Sequence, residues 1–526
     1  MPSHKFTAAH QELSAWRFRE IRNVADIPRY WAKAAPHKPA LISATRRSSW
    51  TDLNARASAI ANRLDALGAT PGTPVGYLGK NMVEFFELWF GAAKAGAAIT
   101  PLNWRCAVEE LALIITDAAP PIIFVTEEFY ATLKAVKARC GVDFEIVPFG
   151  PAGLDVWLAD ASETDPHLAF SNDTTALISY TSGTTGLPKG VMASHEAFVW
   201  SFLSSVLEPT VSATAEDVML ISMPIFHLGG SWVSMLALHR GAALSLLPAF
   251  EPGAFVTATA RDGATTAALV PTAIQLLLSR PAEELEALRS LRSIMYFGSP
   301  AGADLLLRTS ELLGCRLAQC YGTTESWFIS LLDHEQDLPG YPHRLASAGR
   351  PLPLVAVKIS APDGVELPVG SVGEVLVRSP ASLSGYHNRP KALAEALHEG
   401  WYRTGDLGRF DEDGFLYLVD RAKDMIISGG ENIYTVEVEQ ALTKLPGVGA
   451  CAVVGLPDEK WGERVVAAIV PLPGATLTPE MVIAHCHTLI AGYKTPKEVH
   501  FLEALPITSI GKIRKHALRE VLRAKS

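Results

Sequence analysis

Cysteine is scarce in this chain, with six among 526 residues (Cys106, Cys140, Cys315, Cys320, Cys451 and Cys486) and no Cys-x-x-Cys pair. That spacing argues against a disulfide framework and a cysteine zinc site and fits reduced, buried thiols. An excess of positive charge is missing too: 46 Lys and Arg stand against 55 Asp and Glu, a net charge of −9. The balance gives no global reason to expect nucleic acid or an anionic membrane as partner, so an anionic ligand must be held by local groups. No apolar run approaches the ~20 residues of a membrane span, and the first thirty residues carry no apolar signal core. The expectation is a soluble, cytoplasmic protein with no transmembrane segment. What remains is ordinary globular composition, 48% hydrophobic and 19% charged, in a chain too long for one core.

Up to about residue 340 short apolar runs alternate with amphipathic stretches, as in Pro74–Leu78 followed by Val83–Phe90. This pattern predicts α/β architecture with largely parallel sheets, with further strands at 122–126, 218–221, 267–270 and 293–297. Phe85, Phe86, Leu88, Trp89 and Phe90 read as core. From 349 to 419 short strand-like runs (355–359, 374–378, 415–419) separated by Pro/Gly/Asp turns predict a small β subdomain. A compact α/β segment follows, with helices near 435–444 and 479–490 and strands near 450–455 and 465–470.

The richest segment is Tyr180-Thr-Ser-Gly-Thr-Thr-Gly-Leu-Pro-Lys-Gly190, which follows a predicted strand over Thr175–Thr181. Its glycines let backbone N–H groups approach phosphate oxygens, its hydroxyls donate, and Lys189 adds charge. It is not a Walker A loop, because the Gly-Lys-Ser/Thr ending is absent. Three further segments join it. Ser293–Pro300 is a strand entering a Gly-Ser-Pro turn. Gln319-Cys-Tyr-Gly-Thr-Thr-Glu325 offers a ring to stack, hydroxyls for phosphate and a carboxylate for a hard cation such as magnesium. Tyr402-Arg-Thr-Gly-Asp406 sets a carboxylate beyond a glycine turn, where it could accept two ribose hydroxyls.

In their order and completeness these segments resemble the superfamily of adenylate-forming enzymes, which includes acyl-CoA synthetases, adenylation domains of peptide synthetases and beetle luciferases. Asp420–Ile433 resembles the hinge segment of that superfamily and Pro506–Lys512 its C-terminal lysine motif, so the likeness covers essentially the whole chain. The resemblance implies a large N-terminal domain (1–419) of two α/β subdomains plus a small β subdomain. A hinge (420–423) and a small mobile α/β C-terminal domain (424–526) would follow. It implies a carboxylate attacking ATP to give acyl-AMP, which a thiol then captures, with ATP, magnesium and CoA as cofactors. By resemblance Thr181, Ser182, Gly183, Thr184, Thr185, Gly186 and Lys189 steer the β/γ-phosphates. Tyr321 stacks on adenine beside Gly298, Ser299 and Pro300, with Gly322 and Thr323 in the same nucleotide site. Thr324 touches the α-phosphate, Glu325 carries magnesium, and Asp406 binds ribose with help from Arg421. Lys512 bridges acyl carboxylate and α-phosphate, and Lys423 is the pivot. Ser428, Gly429, Gly430 and Trp461 are assigned to CoA, Trp461 reading equally well as a packed tryptophan. Tyr493, Arg105, Lys494 and Lys497 read equally well as its neighbours or as ordinary surface and packing residues.

Amino-acid-activating relatives usually carry an acidic residue in the segment matched by Met223–Gly230, where this chain has His227 and no carboxylate. A buried ammonium without a counter-charge is costly, so the acid should have an uncharged tail, with His227 as a pocket wall or gate. Phe297 and Trp327 stand where relatives of the long-chain type hold small residues. Two rings there favour a short, medium-chain or aromatic acid. A long-chain acid, or a carrier protein in place of CoA, stays open at this stage, as does a homodimer.

Overall fold

The computed structural model describes residues 20–181, 188–208, 210, 213–299, 301–421, 424–428, 431–507 and 513–524. They pack as two compact units, Met1–Ala356 with Arg378–Gly400, and Val357–Val377 with Trp401–Ser526.

The first unit holds two sheets. One has nine strands, and its centre is parallel: Pro39–Ile42, Ala243–Leu246, Val218–Ile221, Thr266–Leu269, Ser293–Phe297 and Arg316–Thr323 lie side by side in that order. The other has seven, with Thr175–Thr181, Ala98–Leu102, Pro74–Leu78, Ile122–Val125 and Glu145–Pro148 parallel. Antiparallel strands close both edges of the nine-stranded sheet and one edge of the seven-stranded sheet, whose other edge is the parallel Glu145–Pro148. The parallel strands are continuous runs of apolar and small residues, as strands covered on both faces should be. Helix Leu228–His239 is buried along its whole length, and Val83–Lys94 almost so. Largely apolar all round, with the buried Glu87 and Lys94 paired to Arg46 and Asp165, they fit only inside a large core. That core joins Phe85, Phe86 and Trp89 to Phe198, Trp232 and Trp327. The expected α/β class with largely parallel sheets is what the first unit has.

In the second unit Gly373–Arg378, Trp401–Phe410 and Leu416–Arg421 form an antiparallel meander. A second sheet pairs Val448–Asp458 with Gly462–Pro471 over ten registered positions. Its faces alternate with period two. Val453, Val465, Ala467 and Ile469 meet helices Thr435–Thr443 and Pro479–Leu489 on one side. Val454, Val466 and Ala468 meet Leu518 and Leu522 of helix Lys515–Arg523 on the other.

Candidate active site

The carboxyl ends of the parallel strands collect the motif residues of the first unit, as open α/β sheets place their ligands. Thr181 ends one strand and is the cross-strand partner of Lys189, which begins the next. The loop between them therefore closes on this pair; Ser182, Gly183, Thr184, Thr185 and Gly186 lie outside the described residues. Phe297 registers with Cys320, so Gly298 and Ser299 leave their strand beside Tyr321. Pro300 lies outside the described residues. Behind this edge the Tyr296 hydroxyl meets Gln319 Oε1 at 3.1 Å and His334 Nε2 at 2.9 Å. Burial lowers the His334 pKa to about 4 and raises the Tyr296 and Cys320 pKa values, so this layer is neutral near pH 7.

Tyr321 to Ser330 turns back on itself. Arg316–Thr323 and Trp327–Asp333 are antiparallel, joined by Thr324, Glu325 and Ser326. Thr323 and Ser326 share a hydroxyl hydrogen bond of 2.8 Å, and Ser326 N donates to Thr323 Oγ1 at 3.1 Å. The Thr323 hydroxyl thus holds the turn. The Thr324 hydroxyl has no hydrogen-bond partner among the described residues, so it remains free to donate to an incoming oxygen. Glu325 receives the Tyr386 hydroxyl on Oε1 at 3.0 Å, while its Oε2 has no protein partner among the described residues. A half-buried carboxylate with one open oxygen suits magnesium, which takes one or two carboxylates and completes its shell with water and phosphate. The described residues contain no cluster of three or more His, Cys, Asp or Glu.

Tyr386 is the residue that sequence reasoning missed. The pair Gly385–Tyr386 adds to Val191–Met192 as an edge strand, and the Lys189 ammonium lies 5.4 Å from the Tyr386 ring centroid. Two residues give no periodicity, and the surrounding Ser-Gly-Tyr-His-Asn-Arg-Pro reads as loop.

The pocket residues assemble around Trp327. Its indole meets Phe198 edge-on at 4.6 Å and Trp232 at 5.5 Å, and Trp232 meets Phe328 at 4.2 Å. Beyond these rings a cavity of about 10 Å³ remains, lined by Ser201, Ser204, Ser205, Leu352 and Val355 among others. That is room for about one water. Phe297 lies on the start of the buried helix, where a Cβ on Gly229 would come within 2.3 Å of its ring. His227 caps that helix, its Nδ1 accepting from Gly229 N at 3.2 Å. An imidazole nitrogen that accepts here holds the ring in place as a helix cap.

In the second unit Asp406 pairs across the meander with Arg421, whose Nε lies 2.6 Å from Asp406 Oδ1. The segment expected to be a turn is a bulge within a strand. Arg403 and Leu407 face Leu376 and Glu374, so two extra residues sit between, with Gly405 at φ +72°. Thr404 Oγ1 donates to Val375 O at 2.8 Å and accepts from Asp406 N at 3.1 Å, fixing the bulge that aims the carboxylate. Ser428 registers with Gly462, which brings Ser428 beside Trp461, itself 44% exposed. Lys494 is held by both oxygens of Glu437 at 2.7 Å, and Lys497 donates to Gly492 O at 3.1 Å. Arg105, in the first unit, stacks on Trp104 at 4.6 Å. Lys423, Gly429, Gly430 and Lys512 lie outside the described residues.

Residues 29–387 match the AMP-binding enzyme family and residues 437–512 the AMP-binding enzyme C-terminal domain. A feruloyl-CoA synthase from Amycolatopsis sp is 37% identical over 513 residues, covering 97% of this chain and 99% of the relative. An indoleacetate–CoA ligase from Aromatoleum aromaticum is 37% identical over 523 residues, covering 98% and 99%. The crystal structure of ATP-bound MatB from Rhodopseudomonas palustris aligns with a TM-score of 0.87 at 32% identity, over 95% of this chain and 99% of that one. No helix among the described residues is long and apolar enough to cross a membrane. The family matches and these relatives show that the chain belongs to the AMP-binding enzyme family, in the acyl-CoA synthetase branch of the adenylate-forming superfamily.

Proposed function

We propose that this protein is an AMP-forming carboxylic acid–CoA ligase that activates an aromatic or other compact acid with an uncharged tail. The observation that carries the reading is the grouping of Lys189, Tyr386 and Glu325, next to a free Thr324 hydroxyl, in a chain of this family. The acid's carboxylate attacks the α-phosphorus of ATP, the bond to pyrophosphate breaks, and the CoA thiol then attacks the acyl carbon as AMP leaves.

Lys189 and the loop from Thr181 to Gly186 hold the β/γ-phosphates, and Thr324 donates to the α-phosphate. Tyr321 and Gly298–Pro300 receive adenine; Asp406, aimed by Arg421, accepts the ribose hydroxyls. Such chemistry depends on positioning and charge far more than on covalent help. Magnesium, when bound, neutralises phosphate charge, and Glu325 would hold it. Lys512 is proposed to bridge the two reacting anions, and Lys423 to be the pivot between the half-reactions, with 424–526 as the moving part. CoA would enter near Ser428, Gly429, Gly430 and Trp461. A cytoplasmic location fits these substrates.

The close packing of rings around Trp327, which leaves a cavity of only about 10 Å³, supports a compact acid, as do the two relatives named for aromatic acids. Pyrophosphate release across a panel of acids, with and without CoA, tests the reading. Turnover with aryl or short acids that requires CoA supports it. A preference for long fatty acids would overturn the pocket argument, and discharge of acyl-AMP by a holo-carrier protein alone would overturn the CoA assignment.

A further inference from the structure

Lys189 and Glu325 reach the same side chain from opposite charges without touching each other. An ammonium on the seven-stranded sheet and a carboxylate on a hairpin of the nine-stranded sheet that reach the same side chain would ordinarily pair, and a Lys–Glu pair would cost the site both its phosphate charge and its metal ligand. Yet among the described residues Lys189 makes no ion pair, and the Glu325 carboxylate accepts only a phenol. Tyr386 separates them. Its ring face meets the ammonium and its hydroxyl meets the carboxylate, so one residue satisfies both ions and leaves each with capacity to spare.

The placement is rigid. Tyr386 is 6% exposed and paired with Val191, two residues from Lys189. His387 N donates to Gly190 O at 2.8 Å, and Ser384 N to Met192 O at 2.9 Å. On the other side Leu383 N donates to Glu325 O at 2.7 Å, so the same short segment fastens the hairpin that carries Glu325. Past the tyrosine, Arg389 pairs with Asp117 at 3.3 Å, and Asp117 also accepts from Tyr180 at 2.7 Å, next to Thr181. The segment therefore grips the strand ends on either side of the phosphate loop and the metal-side hairpin together.

We propose that Tyr386 is a positioning residue that keeps the Glu325 carboxylate and the Lys189 ammonium apart and aimed, ready for magnesium and polyphosphate. The inference rests on the ligase reading above. Tyr386→Phe removes the hydrogen bond and keeps the ring. It is expected to raise the Mg2+ concentration that half-saturates ATP binding, read by calorimetric titration, about tenfold, the scale of a hydrogen bond to a charged group. The melting temperature of the ligand-free protein should not change. In a Glu325→Gln background the same change should add nothing further to the Mg2+ requirement, because the coupled partner is gone. Tyr386→Leu, which lets Lys189 collapse onto Glu325, should also weaken ATP binding without Mg2+. Wild-type Mg2+ dependence in Tyr386→Phe, or an undiminished effect in the Glu325→Gln background, overturns the assignment alone. So does a collapse of the ligand-free melting temperature, which would make Tyr386 a packing residue. Absence of Mg2+-dependent ATP binding in the wild type would overturn the ligase reading and this assignment with it.

Discussion

Trp327 carries both a chemical and a conformational burden. It sits at φ +63°, in the left-handed region, at the end of a three-residue hairpin connection. Glycine usually takes that position, and a bulky side chain there costs about 1–3 kcal/mol. The indole nevertheless stays, 2% exposed, between Phe198 and Trp232. Removing it should therefore have two opposed effects on stability: relief of backbone strain and loss of packing worth roughly 3–5 kcal/mol. We expect Trp327→Gly to fold with a reduced melting temperature and to shift selectivity toward longer acids. Each methylene newly admitted is worth ~0.8 kcal/mol, about fourfold in the ratio of kcat/KM between chain lengths. Phe297→Gly should shift it less, because that ring is pinned on Gly229 at the helix start. An unchanged chain-length profile in folded Trp327→Gly would show that the indole does not end the tunnel.

At the scale of elements, long alternating or apolar runs were legible and short irregular ones were not. The strand Thr175–Thr181 and helix Pro479–Leu489 fall at or within a residue of where periodicity put them, since burial on a sheet or helix face imprints the sequence directly. Val448–Asp458 and Gly462–Pro471 run four or more residues beyond their apolar cores, because hairpin pairing extends strands past the buried part. The bulge at Arg403–Leu407 read as a turn, for Thr-Gly-Asp has turn chemistry whether the chain reverses or merely bends. Nor could Thr323 and Thr324 be told apart by composition; only the Ser326 contact separates the turn-holder from the free hydroxyl. The hairpin that carries them is also tight. Gly322 passes so close to its partner strand that a Cβ would sit 1.8 Å from the Trp327 carbonyl oxygen. Gly322→Ala must therefore push the strands apart, moving Thr324 and Glu325 from their places. We expect a loss of adenylation of a hundredfold or more, since an ångström of misplacement has that scale. Wild-type pyrophosphate release from this variant would show that the hairpin geometry is not needed.

At the scale of the whole molecule, one chain is proposed to run two reactions with two sets of groups, and its pH tolerance depends on what the large core hides. The lysine motif was legible only through family likeness, as an isolated Lys512 has no periodic or packing signature. Lys512→Ala should abolish acyl-AMP formation while thioester formation from supplied acyl-AMP survives, because one preorganised charge lost from the first transition state costs ~3 kcal/mol or more. Equal damage to both steps, read separately, would contradict it. The core makes a different demand. His195 and His239 are buried, and burial lowers both pKa values to about 3; His334 is lowered to about 4. His195 packs on Phe170 at 4.8 Å, and neither of its ring nitrogens has a hydrogen-bond partner among the described residues. The folded state thus binds fewer protons than the unfolded chain, in which histidine titrates near 6.5, so stability rises with pH between about 4 and 6.5. On acidification each of the three should withdraw about 1.4 kcal/mol per pH unit below 6.5 until its folded pKa is reached. Asp165, held below the usual carboxylate range by Arg29 and Lys94, and Asp217, held there by Arg292 and threonine donors, lose their contributions only at lower pH. Burial raises the Glu87 and Glu439 pKa values, which opposes the histidine slope, so the histidine part between pH 7 and 5 is read as the difference between the wild type and a histidine variant. His195→Phe keeps the stacking and removes the titration, so it should lose about 2 kcal/mol less than the wild type over that interval, visible as a smaller drop in melting temperature. An identical drop in both proteins would mean that His195 is protonated in the folded state or reached by water.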